Sequence, residues 1–322
     1  MWQIILFAFA ISLAVCLIIG PVLIPALRRL KFGQSIRSDG PERHLQKQGT
    51  PTMGGVMFFF SLILGTVFLA GDSYMTYFLL VCALGFGLIG FVDDYIKIVK
   101  KRSLGLTAKQ KIIGQLALSV GVSVAAVYML QVSTEVVVPL LGWTLEFGVL
   151  YIPFLIFLLV GTTNAVNLTD GLDGLASGVT LIVALGYMLI GVLQSQMAVV
   201  VFSAALAGSC LGFLVFNHHP AKVFMGDTGS LFLGGAVCGT AFALDMPLVL
   251  IMVGIIYIIE TLSVIIQVGY FKLTHGKRFF KMAPIHHHFE KCGWAEERID
   301  LTFAAITAVM CILAWFGVSG RF

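Results

Sequence analysis

The sequence is poor in charge. Only 11% of its 322 residues are Asp, Glu, Lys or Arg, whereas 59% are hydrophobic. A soluble globular domain carries about 25% charged residues, so this deficit excludes an ordinary soluble protein and favours a chain that crosses a membrane several times. Internal repeats, low-complexity segments and a soluble domain are also missing, which indicates one integral membrane domain over 1–322.

Cysteine patterns and a signal sequence are missing too. The six cysteines follow neither a metal-ligand spacing nor a disulfide framework. Five of them lie in apolar runs, where cysteine behaves as a small hydrophobic residue, so we expect purely structural roles. The first apolar run has no basic segment before it and is too long for a signal core, so it is predicted to be a membrane helix rather than a cleavable signal.

What the chain does have is apolar runs of membrane-spanning length. About 20 residues of helix cross roughly 30 Å of hydrocarbon. The predicted fold is therefore all-α, a polytopic membrane protein with ten transmembrane helices: 2–27, 52–71, 75–96, 112–132, 149–166, 175–194, 197–216, 230–244, 247–271 and 301–318. The eighth of these runs is short.

Lysine and arginine lie almost entirely in the odd-numbered connections between these runs. Those connections hold 19 of the 20 basic residues, and only Arg321 falls elsewhere. Because basic loops stay in the cytoplasm, both termini are predicted to lie outside. Of the outer connections only 133–148 is long enough for structure, and its alternating apolar residues predict a short hairpin. Five cytoplasmic loops are predicted to be catalytic: 28–51, 93–111, 164–174, 217–230 and 272–299.

The most unusual polar feature is the adjacent pair Asp93 and Asp94 at the end of a long apolar run. Charge is costly there, so the pair needs a metal ion, a cation or water as its partner. Adjacent side chains on a helix point about 100° apart, so the two carboxylates are not expected to bind one ion without a change in the backbone. The alternative is a salt-bridged helix end, since Lys97 stands three and four residues away.

Two further clusters on the same predicted face combine glycine with polar side chains. Lys47 and the turn 50–55 offer a cation and a close backbone approach for phosphate, or are only a turn that enters a helix. The loop 164–174 supplies two asparagines and two aspartates. Its spacing matches a calcium loop poorly, and the alternative is that Asp170 caps the next helix.

The remaining two clusters contain the histidines that stand out. In 217–230, Phe224 offers a ring for stacking on a base and Asp227 a carboxylate for magnesium, or Asp227 is a helix cap. Three successive histidines at 286–288 do not suit one tetrahedral zinc ion. Hydrogen bonding to phosphate or acid–base chemistry suits them better, and a basic patch for anionic lipid is the alternative. Together the clusters predict a site for a metal-bound polyphosphate.

These motifs resemble the polyprenyl-phosphate N-acetylhexosamine-1-phosphate transferase family along nearly the whole chain. The adjacent Asp pair, NLTDGLDG at 167–174 and GDTGS at 226–230 are similar across that family, whereas TPTMGG at 50–55 and PIHHHFE at 284–290 resemble its muramyl branch. The resemblance implies ten membrane helices, a ninth helix that bends or breaks, Mg²⁺ as cofactor, a homodimer, and a site on the cytoplasmic side of a bacterial inner membrane.

Residue roles follow from the same resemblance. It implies that Asp227 is the magnesium ligand and that Asp93 contacts the lipid phosphate. The catalytic residues expected are Asp93, Asp94, Asp227, His286, Asn217 and Lys97. The substrate-binding residues expected from the clusters and the resemblance are Lys47, Thr52, Asn164, Asn167, Asp170, Gly171, Leu172, Asp173, Phe224, Lys101, Lys109, His287 and His288.

The implied reaction transfers phospho-N-acetylmuramoyl-pentapeptide from UDP-MurNAc-pentapeptide to undecaprenyl phosphate, giving lipid I and UMP. Direct displacement is favoured over a covalent phospho-aspartate, because a phosphate monoester is already mostly ionised at neutral pH. An N-acetylglucosamine-1-phosphate transferase of the same family is the nearer alternative. A cation-coupled transporter would need charges at mid-membrane, where the sequence offers only Glu260 without an obvious partner. Nucleic acid is not an expected partner.

Overall fold

The computed structural model describes residues 1–30, 49–99 and 105–319. Helix makes up 75% of it, which confirms the all-α class. Within the described ranges the helices are α1 (Trp2–Arg29), α2 (Val56–Val67), α3 (Tyr74–Val99), α4 (Ala108–Tyr128), α5 (Tyr151–Thr169), α6 (Leu175–Leu193), α7 (Met197–Asn217), α8 (Gly226–Ala243), α9 (Val249–Val253), α10 (Ile255–Leu273), α11 (Ile285–Lys291) and α12 (Glu296–Ser319).

Eight helices of the described ranges are long and apolar enough to cross a membrane, namely α1, α3, α4, α5, α6, α7, α10 and α12. Two runs predicted as spans, 52–71 and 230–244, correspond to α2 with 12 residues and α8 with 18. The structure therefore supports a polytopic helical membrane protein with eight candidate spans, two fewer than the ten predicted.

Helix α8 is less apolar than a span because it lies inside the bundle. Every residue from Thr228 to Ala243 is buried, and a helix surrounded by protein can use small residues that let its neighbours approach. A Cβ on Gly235 of α8 would lie 2.3 Å from the carbonyl oxygen of Cys82 in α3. A Cβ on Gly90 of α3 would lie 2.0 Å from the carbonyl oxygen of Asp227. The backbones of α3 and α8 are therefore in direct contact.

The predicted ninth run, 247–271, is broken. Helix α9 ends at Val253 and α10 begins at Ile255, and Gly254 between them leaves helical geometry with φ −96° and ψ 18°. This break agrees with the bend that the family resemblance implies. It separates a five-residue helix, buried except for Ile251, from the long helix that carries Glu260.

Three helices begin before the positions predicted from hydrophobicity. α4 starts at Ala108, where Thr107 and Gln110 form a reciprocal capping box. α8 starts at Gly226 rather than 230, and α12 at Glu296 rather than 301. The counting of apolar residues misses polar first turns, and in α4 the capping box stabilises such a turn. As a result Asp227 lies in the first turn of α8 instead of in a loop.

The predicted hairpin within 133–148 is confirmed. Strands β1 (Glu135–Val137) and β2 (Thr144–Glu146) pair antiparallel, with Val136 opposite Leu145. They form the only sheet in the described part of the chain. All six cysteines are free, and all except Cys292 are buried.

Candidate active site

The site forms where the C-terminal part of α3 meets the first turn of α8. Asp93 and Asp94 follow Gly90 by about one helical turn. Because Gly90 has no side chain, the backbone of Asp227 lies directly against α3. This close approach brings three carboxylates from distant parts of the sequence together.

Two lysines join these carboxylates. Lys97 Nζ lies 2.9 Å from Asp227 Oδ2 and 3.5 Å from Asp94 Oδ1, and it also contacts Asp93 Oδ2. From α4, Lys111 Nζ donates a hydrogen bond of 3.0 Å to the same oxygen of Asp227. We call these five residues the carboxylate–lysine cluster. With all groups ionised, three negative and two positive charges leave one negative charge in excess.

The remaining oxygen atoms of the acidic pair are held by hydrogen bonds. Asp93 Oδ1 accepts a 2.7 Å bond from the backbone N–H of Leu106. Asp94 Oδ2 accepts bonds of 2.8 and 2.7 Å from the N–H and the hydroxyl of Thr228. Both carboxylates are buried, and a buried charge is tolerated only when it is paired and hydrogen-bonded in this way.

The expectation that adjacent carboxylates cannot approach one ion is wrong. Asp93, Asp94 and Asp227 each bring one oxygen within 4.8 Å of the others, while α3 stays helical through Val99. Although adjacent side chains leave the helix in different directions, both carboxylates turn towards Lys97 Nζ. The same residues therefore form a salt-bridged helix end and a group that could hold a metal ion. Carboxylate oxygens are the ligands that Mg²⁺ prefers in proteins.

Asn167 and Asn164 lie on α5, on the other side of Asp227. Asn167 Nδ2 donates to Asp227 Oδ1 at 2.8 Å and to the Ser230 hydroxyl at 2.7 Å. Asn164 Nδ2 donates instead to Gln115 Oε1 on α4, also at 2.8 Å. Of the two asparagines, only Asn167 therefore contacts the carboxylates directly in the described structure.

Asn217, predicted to be catalytic, connects two loops. Its Oδ1 accepts a 3.1 Å bond from the N–H of Gly174, and its Nδ2 donates a 2.9 Å bond to the carbonyl oxygen of Val223. It thereby fixes the loop 170–174 against the loop 218–225. In the described residues it makes no hydrogen bond to the three carboxylates of the cluster.

A second group of ionisable residues lies beside these loops. Asp173 Oδ2 is 3.1 Å from His219 Nδ1 and accepts a 3.0 Å bond from the N–H of Ala221. Glu296 Oε2 at the start of α12 accepts a 3.4 Å bond from the N–H of Asp173 and is 3.6 Å from His219 Nδ1. We call Asp173, His219 and Glu296 the loop clamp. Its three ligand atoms also lie within 4.8 Å of one another.

Asp170 precedes the loop clamp in the chain. It is the C-cap residue of α5, while α6 is preceded by Gly174 with φ 86° and no side-chain cap, so the helix-capping alternative for Asp170 is wrong. Removal from water raises the pKa of the Asp170 carboxyl well above its usual range. The negative charges of Asp227, Asp94 and Asp173 raise that pKa further.

The three successive histidines have three different partners. His286 is buried, and its Nδ1 lies 3.0 Å from Glu260 Oε1. His287 Nδ1 lies 2.6 Å from Glu290 Oε2, whereas His288 Nδ1 accepts a 3.1 Å bond from the N–H of Lys281. The imidazole of His286 also packs against Gly171, where a Cβ would lie 2.1 Å from Nε2.

The segment 51–55 packs alongside the start of α8. Phe224 N–H donates to the Pro51 carbonyl oxygen, and Gly54 N–H donates to the Phe224 carbonyl oxygen, both at 2.8 Å. Thr52 Oγ1 would lie 2.8 Å from a Cβ on Gly226. Thr52 and Phe224, both predicted to bind substrate, are therefore near the carboxylate–lysine cluster.

The other predicted substrate residues are less well connected to the cluster. Leu172 is buried and Lys109 is exposed. Lys47 and Lys101 lie outside the described residues, so their predicted roles stay predictions.

Sequence reasoning missed several residues that contribute to this region. Lys111 is one of several basic residues before the predicted fourth helix, and its place in the first turn of α4 puts it beside Asp227. Thr228 directly follows Asp227, a signal that could have been used. Nothing local to Glu260 or Glu296 indicates their partners, which are 26 and 123 residues away.

Fold and site define a polytopic helical membrane protein with an acidic, lysine-bridged site. The profile of glycosyl transferase family 4 matches residues 74–245, and a phospho-N-acetylmuramoyl-pentapeptide-transferase signature matches residues 47–59. The chain belongs to glycosyl transferase family 4 and, within it, to the family of the phospho-N-acetylmuramoyl-pentapeptide-transferases.

Relatives that carry this enzyme name are similar over nearly their full length. The one from Acetivibrio thermocellus is 52% identical over 320 residues, covering 98% of this chain and 96% of the relative. That from Heliobacterium modesticaldum is 52% identical over 306 residues, or 95% of each chain. That from Clostridioides difficile is 50% identical over 313 residues, covering 97% of this chain and 96% of the relative.

Proposed function

We propose that this chain transfers phospho-N-acetylmuramoyl-pentapeptide from UDP-MurNAc-pentapeptide to undecaprenyl phosphate, giving lipid I and UMP. The observation that carries the proposal is the carboxylate–lysine cluster, in which Asp93, Asp94 and Asp227 meet two lysines. Such a group suits a metal-bound diphosphate. The names of the relatives supply the identity of the transferred group.

The cluster fits a bound Mg²⁺ in charge and in donor chemistry. It offers one oxygen from each of three carboxylates, and its excess of negative charge favours a cation. Asp227 would be the principal ligand, with Asp93 and Asp94 nearby. When bound, the ion would neutralise charge on the diphosphate.

The residues of the chain then have separable tasks. Asp93 positions the phosphate of the lipid, which needs no strong base because its second pKa is about 6. An oxygen of that phosphate forms a bond to the β-phosphorus of the donor, the bond from this phosphorus to the bridging oxygen breaks, and UMP leaves. Lys97 and Lys111 stabilise the charge that develops on the phosphate oxygens. The donor is positioned relative to the reacting groups by Asn217, His286, Asn167 and the loop 170–174.

We further propose the topology that the basic residues predict. The chain would cross a bacterial inner membrane ten times, with α2 and α8 and the broken α9–α10 counted as spans. Both termini would lie outside, and the cluster would face the cytoplasm, where the nucleotide donor is found. A homodimer is the expected assembly.

The decisive experiment measures UMP release by the purified protein with undecaprenyl phosphate and Mg²⁺. UDP-MurNAc-pentapeptide should support turnover, and UDP-N-acetylglucosamine should not. The reverse preference would replace this proposal by an N-acetylglucosamine-1-phosphate transferase. A radiolabelled phosphosugar–protein adduct that forms without the lipid acceptor would replace direct displacement by a covalent route.

A further inference from the structure

Glu260 is a carboxylate with no solvent exposure inside the candidate membrane span Ile255–Leu273. A charge in such a position is costly unless a specific partner stabilises it. The partner lies 26 residues along the chain: Glu260 Oε1 is 3.0 Å from Nδ1 of the buried His286. The contact joins the membrane helix α10 to the short helix α11.

The other end of the His286 ring has no partner among the described residues. Nε2 is buried and makes no hydrogen bond to them, and the same holds for Glu260 Oε2. Nε2 lies against Gly171 of the loop 170–174, where a Cβ would be 2.1 Å away. The backbone of Gly171 is not in the left-handed region, so what this position requires is room for the imidazole and not the flexibility of glycine.

The hydrogen bond to Glu260 decides which ring nitrogen faces that loop. An ionised carboxylate only accepts hydrogen bonds, so its imidazole partner must carry a proton on Nδ1. The ring orientation is then fixed, and Nε2 is left for a ligand. A phosphate oxygen accepts hydrogen bonds, so Nε2 would bind it as an N–H donor.

We propose that Glu260 is a positioning residue that holds the His286 imidazole through Nδ1, so that Nε2 is presented to a phosphate oxygen of the nucleotide donor beside Gly171. The identity of the ligand in this role rests on the proposed function. The contact between Glu260 and His286 does not depend on that function. Glu260 acts through His286 and touches no reacting atom.

The direct test is nitrogen-15 NMR of the histidine-labelled, otherwise unmodified protein in lipid nanodiscs without substrate. The His286 signals are identified by their loss in His286→Gln. We expect Nδ1 to carry a proton in a strong hydrogen bond, and Glu260→Leu to remove that bond. An unprotonated Nδ1 in the wild-type protein would overturn the proposal, even if the Leu variant did not fold.

The kinetic test compares substitutions that keep or remove the acceptor. Loss of a group that orients a metal-binding histidine typically costs about 10- to 100-fold in activity, and we expect the same range for Glu260. We expect roughly 100-fold loss of kcat in Glu260→Leu and about 10-fold in Glu260→Gln, whose amide oxygen can still accept from Nδ1. Ser263→Ala is the matched control, since among the described residues this buried hydroxyl of α10 bonds only to the Glu260 carbonyl oxygen, and its kcat should stay unchanged.

A double variant separates positioning from general damage to the helix. If Glu260 acts through His286, adding Glu260→Leu to His286→Gln should cause no further loss. An equal loss in both backgrounds would contradict the positioning role. Absence of any UMP release by the wild-type protein would count against the proposed function instead, and would leave the NMR result on the pair intact.

Discussion

The carboxylate–lysine cluster and the loop clamp each place three potential metal ligands within 4.8 Å, yet they are built differently. In the cluster, the carboxylates share Lys97, whose side chain is 35% exposed, and Asp227 also contacts Lys111. In the clamp, the carboxylates of Asp173 and Glu296 share the imidazole of His219. Proximity of ligands therefore does not by itself distinguish a reaction centre from a structural contact. The shared partner does: lysine ammonium groups suited to phosphate in the cluster, and an imidazole between two loops in the clamp.

Asp227→Asn should have the largest effect. It removes the negative charge of the carboxylate that both Lys97 and Lys111 contact. The net charge of the cluster then changes from minus one to zero. We expect a fall in kcat of at least about 10³-fold, as for loss of a major electrostatic element of an active site. Steady-state UMP release measures it, and a retained melting temperature shows that the fold is intact. Turnover within tenfold of the wild type would mean that the cluster is not the reaction centre.

Asp93→Asn and Asp94→Asn sharpen the roles within the cluster. Both should lower kcat by about 10²-fold or more, since each leaves Lys97 with one partner fewer. Only Asp93→Asn should also change the KM for undecaprenyl phosphate. Near-normal turnover of Asp93→Asn beside an inactive Asp94→Asn would reverse the two proposed roles.

Lys111→Gln should reduce kcat by roughly tenfold, because one charged hydrogen bond to Asp227 is lost while Lys97 remains. Lys272→Gln is the charge-matched control, an exposed lysine in the last turn of α10. Its kcat should match that of the wild type. Equal losses in both variants would show that net charge matters and the contact does not.

Glu296→Gln tests the clamp, and its main effect should be on stability. It weakens the bonds of a buried carboxylate to His219 and to the Asp173 backbone, with an expected cost of about 1–3 kcal/mol in the free energy of unfolding. Its neighbour Glu297 is exposed, so Glu297→Gln should leave the melting temperature unchanged. If Glu296→Gln instead abolished turnover at full stability, the clamp would be a second functional centre.

The Asp170 carboxyl lies in the electrostatic field of both the carboxylate–lysine cluster and the loop clamp. Its substitution should have the smallest effect. Its pKa is raised in the folded protein by burial and by the charges of Asp227, Asp94 and Asp173. The folded state therefore binds this proton more tightly than the unfolded chain, and stability falls as pH rises above the unfolded value of about 3.9. In EDTA, Asp170→Asn should raise the melting temperature by a few degrees more at pH 8 than at pH 4, a difference that thermal unfolding measures. An equal shift at both pH values would show that the ionised form carries no penalty.

Local sequence patterns predicted most of the fold, whereas the geometry of the site depends on contacts between residues that are distant in sequence. Apolar runs revealed nearly every helix, and alternation revealed the hairpin 133–148. Hydrophobic runs predicted ten spans, whereas eight helices of the described residues are long and apolar enough to be one. The short α2 and the buried α8, which is less apolar than a lipid-facing helix, account for the difference. Asp93, Asp94 and Asp227 were recognised as chemistry-bearing from their context, but their meeting depends on the missing side chain of Gly90. Nothing local to Glu260 could have indicated His286.

The contact between α3 and α8 has a consequence for biosynthesis. Asp94 and Thr228 are separated by 134 residues, so a ribosome completes α3 long before the hydroxyl and N–H that will hold this carboxylate exist. Until then the acidic pair must be neutralised within its own helix, and Lys97 at the third and fourth positions beyond does this. The same lysine thus pairs first with the two carboxylates of its own helix and later joins them to Asp227.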